Sequence, residues 1–228
     1  MATKIFSSAS PVISASATRT PLLPKAALAS RLLGTSLAAA VSVLTMAPAL
    51  PAAGEAFKIY YGTAASAANY GGYGGNSDRK ASAEYVYDVP EGWKERLVSK
   101  VEKGTNGTDS EFYNPKKRTE KEYLTFLSGF RQLAPRDIIL NNLALSDVDL
   151  QDLIATADKV VSEEKKDEAG QVYYLYEIDG VGMHSLITVT CARNKLYAHF
   201  VNAPTPEWNR DHDTLTHLRD SFKTVSSS

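Results

Sequence analysis

The chain has 228 residues, 25 Lys and Arg against 26 Asp and Glu, and a formal net charge of −1. That balance excludes a chain built to bind nucleic acid, which would carry a strong excess of bases. The single cysteine, Cys191, excludes an intramolecular disulfide, so any folded domain is held by its core.

The charges are unevenly spread. No Asp or Glu precedes Glu55, whereas Lys4, Arg19, Lys25 and Arg31 do. An acid-free, Ser- and Ala-rich, sparsely basic start is the composition of an organelle transit peptide. Arg31 then flanks a Leu-, Ala- and Val-rich stretch from Leu32 to Leu50, interrupted by Pro48 and followed by Pro51-Ala52-Ala53. A basic flank, a short apolar stretch and small residues at the cleavage positions make a secretory-type signal. Two signals in series predict import into a chloroplast and transfer to the thylakoid lumen, with cleavage between Ala49 and Phe57. A mitochondrial presequence or a single anchored helix are the alternatives, and the small-residue tail favours removal over anchoring. Residues 1–56 are thus expected to be a bipartite signal, 57–81 a flexible Gly/Ala/Tyr-rich arm and 82–228 the folded domain. Removing the segment's four bases and one acid from the totals of 25 and 26 leaves 21 and 25, a net charge of −4.

Phe57 to Tyr61 reads as a short strand or extended arm, and the Gly- and Ala-rich run ending at Asn76 as a mobile segment with too little to bury. Val86 and Val89 bracket a strand. Pro90-Glu91-Gly92-Trp93 is turn chemistry, with Trp93 expected to be substantially buried. Leu97, Val98 and Val101 suggest a strand over 96–103, and Gly104-Thr105-Asn106-Gly107 a hairpin turn. Lys121 to Arg131, with Tyr123, Phe126, Leu127 and Phe130, reads as a strand by its aromatics. Pro135 opens a helix. Ser146 to Asp149 caps a second, with a face of Leu150, Leu153, Ile154 and Ala157. Val160-Val161, Val172 to Ile178, Ser185 to Arg193 and Leu196 to Val201 form an antiparallel meander, with turns at Gly170, Gly180–Gly182 and Asn194-Lys195. Thr205 caps a terminal helix with Pro206 at its first position and Trp208, Leu215, Leu218 and Phe222 on one face; Trp208 is expected to be buried. The layout is α+β, an antiparallel sheet of about six strands with helices packed on it.

Pro90-Glu91-Gly92-Trp93, the run Gln171 to Glu177, Asn194-Lys195-Leu196-Tyr197, Trp208 and a helix ending in Ser221-Phe222 recur in an order that resembles the PsbP family. That family comprises the extrinsic oxygen-evolving protein of photosystem II and its lumenal relatives. The resemblance spans roughly residues 82–225. It implies a PsbP-like sheet between helical layers and peripheral association with a thylakoid membrane complex, photosystem II ahead of photosystem I. Family members have been linked to calcium or manganese. The best-known member engages photosystem II through a basic, flexible N-terminal arm. Here the arm is Gly/Tyr-rich, with Arg79 and Lys80 only at its end.

The candidate sites follow. Asp213 and His217, four residues apart, share a helix face as a metal pair would, next to Asp211 and His212. The bland reading is a solvated helix start whose acids favour the dipole. Lys116, Lys117 and Arg118, with Lys121, form a basic cluster after a turn, either solvated or a contact for an acidic partner. Tyr70 and Tyr73 in the arm offer apolar rings with polar tips for docking. Cys191 shares a strand face with Ile187 and Val189 and reads as core. His184 and Ser185 are adjacent on a strand and point to opposite faces, so they are no nucleophile–base pair. Gly71-Gly72-Tyr73-Gly74-Gly75 lacks the strand–helix setting and lysine of a phosphate loop. Asn106-Gly107-Thr108 matches a glycosylation pattern that a lumenal protein would not present to that machinery. No convergent catalytic set emerges; an uncharacterised lumenal enzyme is the alternative class.

Overall fold

The runs Tyr123 to Leu127, Val172 to Ile178, Leu186 to Thr190 and Leu196 to Val201, rich in aromatic, aliphatic and β-branched residues, form the middle of the sheet. A computed structural model describes residues 56–65 and 80–225. In chain order the elements are β1 (Phe57–Gly62), β2 (Tyr85–Pro90), β3 (Lys94–Glu95), α1 (Lys100–Thr105), β4 (Thr108–Asn114), β5 (Lys117–Ser128), α2 (Arg136–Ser146), α3 (Val148–Ala155), β6 (Ala157–Lys166), β7 (Val172–Gly180), β8 (Met183–Ala192), β9 (Lys195–Pro204), α4 (Thr205–Ser221) and β10 (Lys223–Thr224). The fold is α+β, as the sequence implies. The strands number more than six among the described residues. They form two sheets, a seven-stranded one in the order β3-β4-β5-β9-β8-β7-β6 and a three-stranded one in the order β1-β2-β10. Every pairing is antiparallel.

The large sheet has a different cover on each face. Ile187, Val189, Ala198, Phe200, Tyr176 and Ile178 pack against Ile139, Leu140 and Leu143 of α2 and Leu150 of α3. On the other face, Leu186 and Val201 meet Leu215 and Leu218 of α4. Leu124, Phe126, Leu175 and Tyr197 meet Tyr85, Tyr87 and Val89 of β2. Period-two alternation in the strands serves both layers at once, since successive side chains leave a strand on opposite faces.

Four expectations are corrected. Residues 96–103 are not a strand: Ser99 caps α1 in a reciprocal capping box with Glu102. The box and its helix outweigh the strand propensity of Val98 and Val101. Gly104–Gly107 therefore ends a helix instead of turning a hairpin. Gly107 (φ +69°) leads into β4 so close to the Phe126 carbonyl that a side chain has no room. Phe57–Gly62, the first six residues of the expected arm, pair with β2 and belong to the folded sheet. Trp93 and Trp208 are half-buried, resting against the core beside α4 instead of plugging it. Smaller shifts fall at termini. Pro204 precedes α4, with Thr205 its first residue. Arg193 and Asn194, both with positive φ (51° and 58°), make the two-residue β8–β9 turn. Ala157 opens β6 instead of closing a helical face.

Candidate docking surface

The basic cluster sits at the tip of the β4–β5 hairpin. Asn114 makes the corner: its Oδ1 accepts the Lys116 amide N–H (3.0 Å) and its Nδ2 donates to Glu120 Oε2 (2.6 Å). The register runs Tyr113↔Lys121 and then Asn114↔Lys117. Residues 118–120 therefore bulge out of the ladder, which re-aims their side chains. Glu120 turns inward and is buried, while Lys116, Lys117 and Arg118 are exposed. The Arg118 guanidinium lies 4.8 Å from the Tyr113 ring centre and Lys121 Nζ lies 5.1 Å from that of Tyr123. Both cations are thus held against aromatic faces. Among the described residues no carboxylate lies within ion-pair distance of Lys116, Lys117, Arg118 or Lys121.

The acids of the same region go inside. Glu120 is raised above the usual carboxylate range by burial, against the Asn114 hydrogen bond and with Asp211 adding to the rise. Arg210 of α4 lies 3.7 Å from Glu120 and 4.0 Å from Glu207, and its closest contact is Asp211. Asp211 breaks the helical backbone (φ −117°, ψ 20°) at this point. Two residues further along β5, Glu122 is fully buried, 3.4 Å from the equally buried His199. Among the described residues neither side chain has a hydrogen bond of good geometry. Burial raises the Glu122 carboxyl, with Asp88 adding to the rise, and lowers the His199 imidazole to about 3, so burial disfavours the charged form of each. Phe222 stacks on the His199 ring at 5.3 Å and Tyr87 packs on it at a tilt, with ring centres 4.6 Å apart. Sequence reading did not single out this pair. The alternation that places Glu122 and Leu124 on one face was the signal that carried it.

The expected metal pair does not assemble. His217 Nε2 lies 2.9 Å from Asp88 Oδ2, and its ring packs on Phe57 at 4.3 Å. Asp213 is fully exposed, with His212 Nδ1 at 3.7 Å as its partner. Among the described residues no three His, Cys, Asp or Glu side chains converge as metal ligands. These two residues do not fit a calcium or manganese site, because a harder cation needs several converging oxygens and His217 is committed to the β2 carboxylate. Tyr70 and Tyr73 lie outside the described residues.

The remaining candidates are structural. Cys191 donates its S–H to the Phe130 carbonyl (3.2 Å), and burial pushes the thiol up, away from reactivity. Ser185 hydrogen-bonds Asn202 (2.7 Å), on the face opposite His184. His184 lies between Asp179 Oδ1 (2.7 Å from Nδ1) and Thr205 Oγ1 (2.9 Å from Nε2). This carboxylate–imidazole–hydroxyl order resembles a relay. Trp208, however, lies parallel over the imidazole with ring centres 4.8 Å apart, and His184 is buried. The arrangement ties the start of α4 to β7 and β8. A shallow pocket between β7 and the end of α4, lined by Lys165, Asp167, Tyr173, Arg219 and Lys223, mixes both charge signs without a converging set.

Comparison with known proteins gives the chain its relatives. The sequence profile of the PsbP family matches residues 77–224. The thylakoid lumenal 19 kDa protein, chloroplastic, of Arabidopsis thaliana is 86% identical over 234 aligned positions, covering 100% of both chains. PsbP domain-containing protein 4, chloroplastic, of the same plant is 26% identical over 147 residues, covering 62% of this chain and 56% of the relative. Among solved structures, the solution structure of cyanobacterial PsbP (CyanoP) from Synechocystis sp. PCC 6803 superposes with a TM-score of 0.51 at 18% identity. It covers 78% of this chain and 100% of that one, and carries the fold. The chain is accordingly a chloroplast protein of the thylakoid lumen, and it belongs to the PsbP family.

Proposed function

We propose that the protein is a non-enzymatic docking protein that binds the lumenal side of a thylakoid membrane complex, photosystem II ahead of photosystem I, and assists its assembly or stability. The observation that carries this reading is the hairpin tip, where Lys116, Lys117, Arg118 and Lys121 stand without carboxylate partners among the described residues, on a chain whose folded part is net negative. Local potential, more than total charge, steers an encounter. Tyr70 and Tyr73 are proposed to add anchors from the arm. No helix among the described residues is long and apolar enough to cross a membrane. Photosystem II comes first because the family's best-known member is an extrinsic protein of that complex.

The test is rebinding to thylakoid membranes stripped by salt washing. Wild-type protein and a Lys116→Glu, Lys117→Glu, Arg118→Glu variant, each recovered from thylakoids of plants expressing the full chain, are titrated across a salt series. Charge reversal should weaken binding, and rising salt should weaken the wild type more than the variant, because exposed charges are screened within about 8–10 Å. Superimposable isotherms would remove the hairpin from the docking surface.

A further inference from the structure

The cationic hairpin continues into an apolar corner. Tyr113 and Lys121 are cross-strand partners, so Arg118, Tyr113, Lys121 and Tyr123 line one face of the β4–β5 end. Tyr123 stacks on Phe200 (4.7 Å, 5° between planes), and its hydroxyl reaches Asp147 Oδ2 at 3.4 Å. Asp147 sits at the α2–α3 corner and accepts the Leu150 N–H (3.1 Å) as the cap of α3. On either side of that short corner, Leu145 is 80% exposed and Val148 70% exposed. The inward side of α2 is taken by Ile139, Leu140 and Leu143. Leu145, two residues past Leu143, must therefore face away from the core. Solvent-facing aliphatics are ordinary when scattered. Leu145 and Val148 instead flank the one corner that Asp147 joins to Tyr123, at the end of the row of ring-backed cations.

We propose that this strip, running from Arg118 through Lys121 and Tyr123 to Leu145 and Val148, is the recognition surface for an acidic protein segment that carries an apolar side chain beside its carboxylates. This rests on the docking reading and specifies its partner. Arg118 and Lys121 are ordered on tyrosine rings before the partner arrives, so little side-chain freedom is lost on contact. The planar Arg118 guanidinium suits a carboxylate. Asp147 is engaged by Tyr123 and by the helix cap, and Glu111, the cross-strand partner of Tyr123, is engaged by Arg96, so neither acid is paired with the strip's cations. Leu145 and Val148 supply the apolar anchor that a purely electrostatic contact lacks. A lipid headgroup plane is the less favoured occupant. It would present anionic charge to the whole net-negative domain, whereas a single acidic segment meets only the basic strip.

The test compares three probes: salt-washed thylakoid membranes, the same membranes shaved with trypsin on their lumenal face, and protein-free vesicles of galactolipid and phosphatidylglycerol. Full-chain variants Leu145→Ser with Val148→Ser, and the hairpin charge reversal, are recovered from the lumen and titrated against each. The inference expects the apolar double variant to bind washed membranes roughly tenfold more weakly or worse, with an unchanged melting temperature. It also expects shaving to abolish wild-type binding and vesicles to bind poorly. Wild-type-like binding by the apolar variant while charge reversal weakens it would overturn the strip and leave the docking reading standing. Vesicle binding as tight as membrane binding would overturn the protein partner. If neither variant changes binding, the docking reading itself fails.

Discussion

Strand β5 sends alternate side chains into two different environments. Toward α4 and the small sheet it points Glu120, Glu122, Leu124 and Phe126, all buried. Toward α2 and α3 it points Lys121, Tyr123 and Thr125, each only half-buried. On the inner face burial pushes both carboxyls up, and Arg210 meets Glu120. On the outer face the bases lie on tyrosine rings. The same contrast explains how a domain with a net negative balance presents a positive end: its acids at this end are spent inside. It also shows that charge totals read from composition say little about which sign a partner meets.

The largest expected effect tests whether the inner face holds the fold and the outer face does not. Leu124 has no exposed surface and lies in the cluster with Tyr85, Tyr87 and Phe112. Leu124→Ala should lose about 2–5 kcal/mol in urea unfolding. Lys121→Ala, three residues earlier on the same strand, should stay within about 0.5 kcal/mol. Similar losses for both would erase the distinction between the faces.

The next expectation concerns the buried pair and is read from pH. The raised Glu122 carboxyl keeps its proton in the folded chain after the unfolded chain has released it. Its contribution to stability is therefore complete below the ordinary 4.5 and declines as pH rises above it. His199, lowered to about 3, acts oppositely: its contribution is complete above the ordinary 6.5 and is lost as pH falls toward 3. Glu122→Gln should therefore gain on wild type as pH rises from 4.5 to 8, and His199→Gln should flatten the loss of stability between 6.5 and 3. Melting curves from pH 4 to 8 for the three proteins decide this. Parallel pH profiles would mean that the pair does not titrate as its burial requires.

The smallest expected effect sharpens the outer face. Asp147→Ala removes the cap of α3 and the acceptor for the Tyr123 hydroxyl. A loss of about 1 kcal/mol is expected from the cap. Asp147→Asn, which keeps a capping oxygen, should recover most of it, and thermal unfolding of the two variants separates cap from charge.

Legibility in the sequence follows element length and alternation. β7, β8 and β9 are evident because each is a run of nine or ten residues rich in aromatic, aliphatic or β-branched side chains, with both faces buried or half-buried, and short turns join one to the next. α1 is hidden because six residues carry too little periodicity, and Leu97, Val98 and Val101 imitate a strand. The Ser99–Glu102 spacing was the available clue. The helix is also secured by the buried Lys103 ammonium on Asp109 (2.6 Å), a contact that no local pattern shows. β1 sits beside a Gly-rich run that suggested an arm, and its partner β2 lies well over twenty residues onward. At the surface, the basic cluster at 116–118 is visible in composition alone. The rings beneath Arg118 and Lys121 depend on strand register, and the outward turn of Leu145 depends on which side of α2 meets the sheet. The Asp213–His217 spacing was true to a helix, but His217 found a nearer carboxylate on β2, a tertiary contact beyond helical geometry.

Site-specific crosslinking in intact thylakoids tests the central claim most directly. A photoreactive residue is placed at Lys117, on the hairpin tip, and in a second protein at Glu163, on the edge strand β6 at the far side of the sheet. The account predicts capture of an intrinsic membrane subunit from position 117 that weakens as salt is raised, and no such product from position 163. Equal capture from both positions, or capture from 163 alone, would contradict a docking surface at the β4–β5 hairpin.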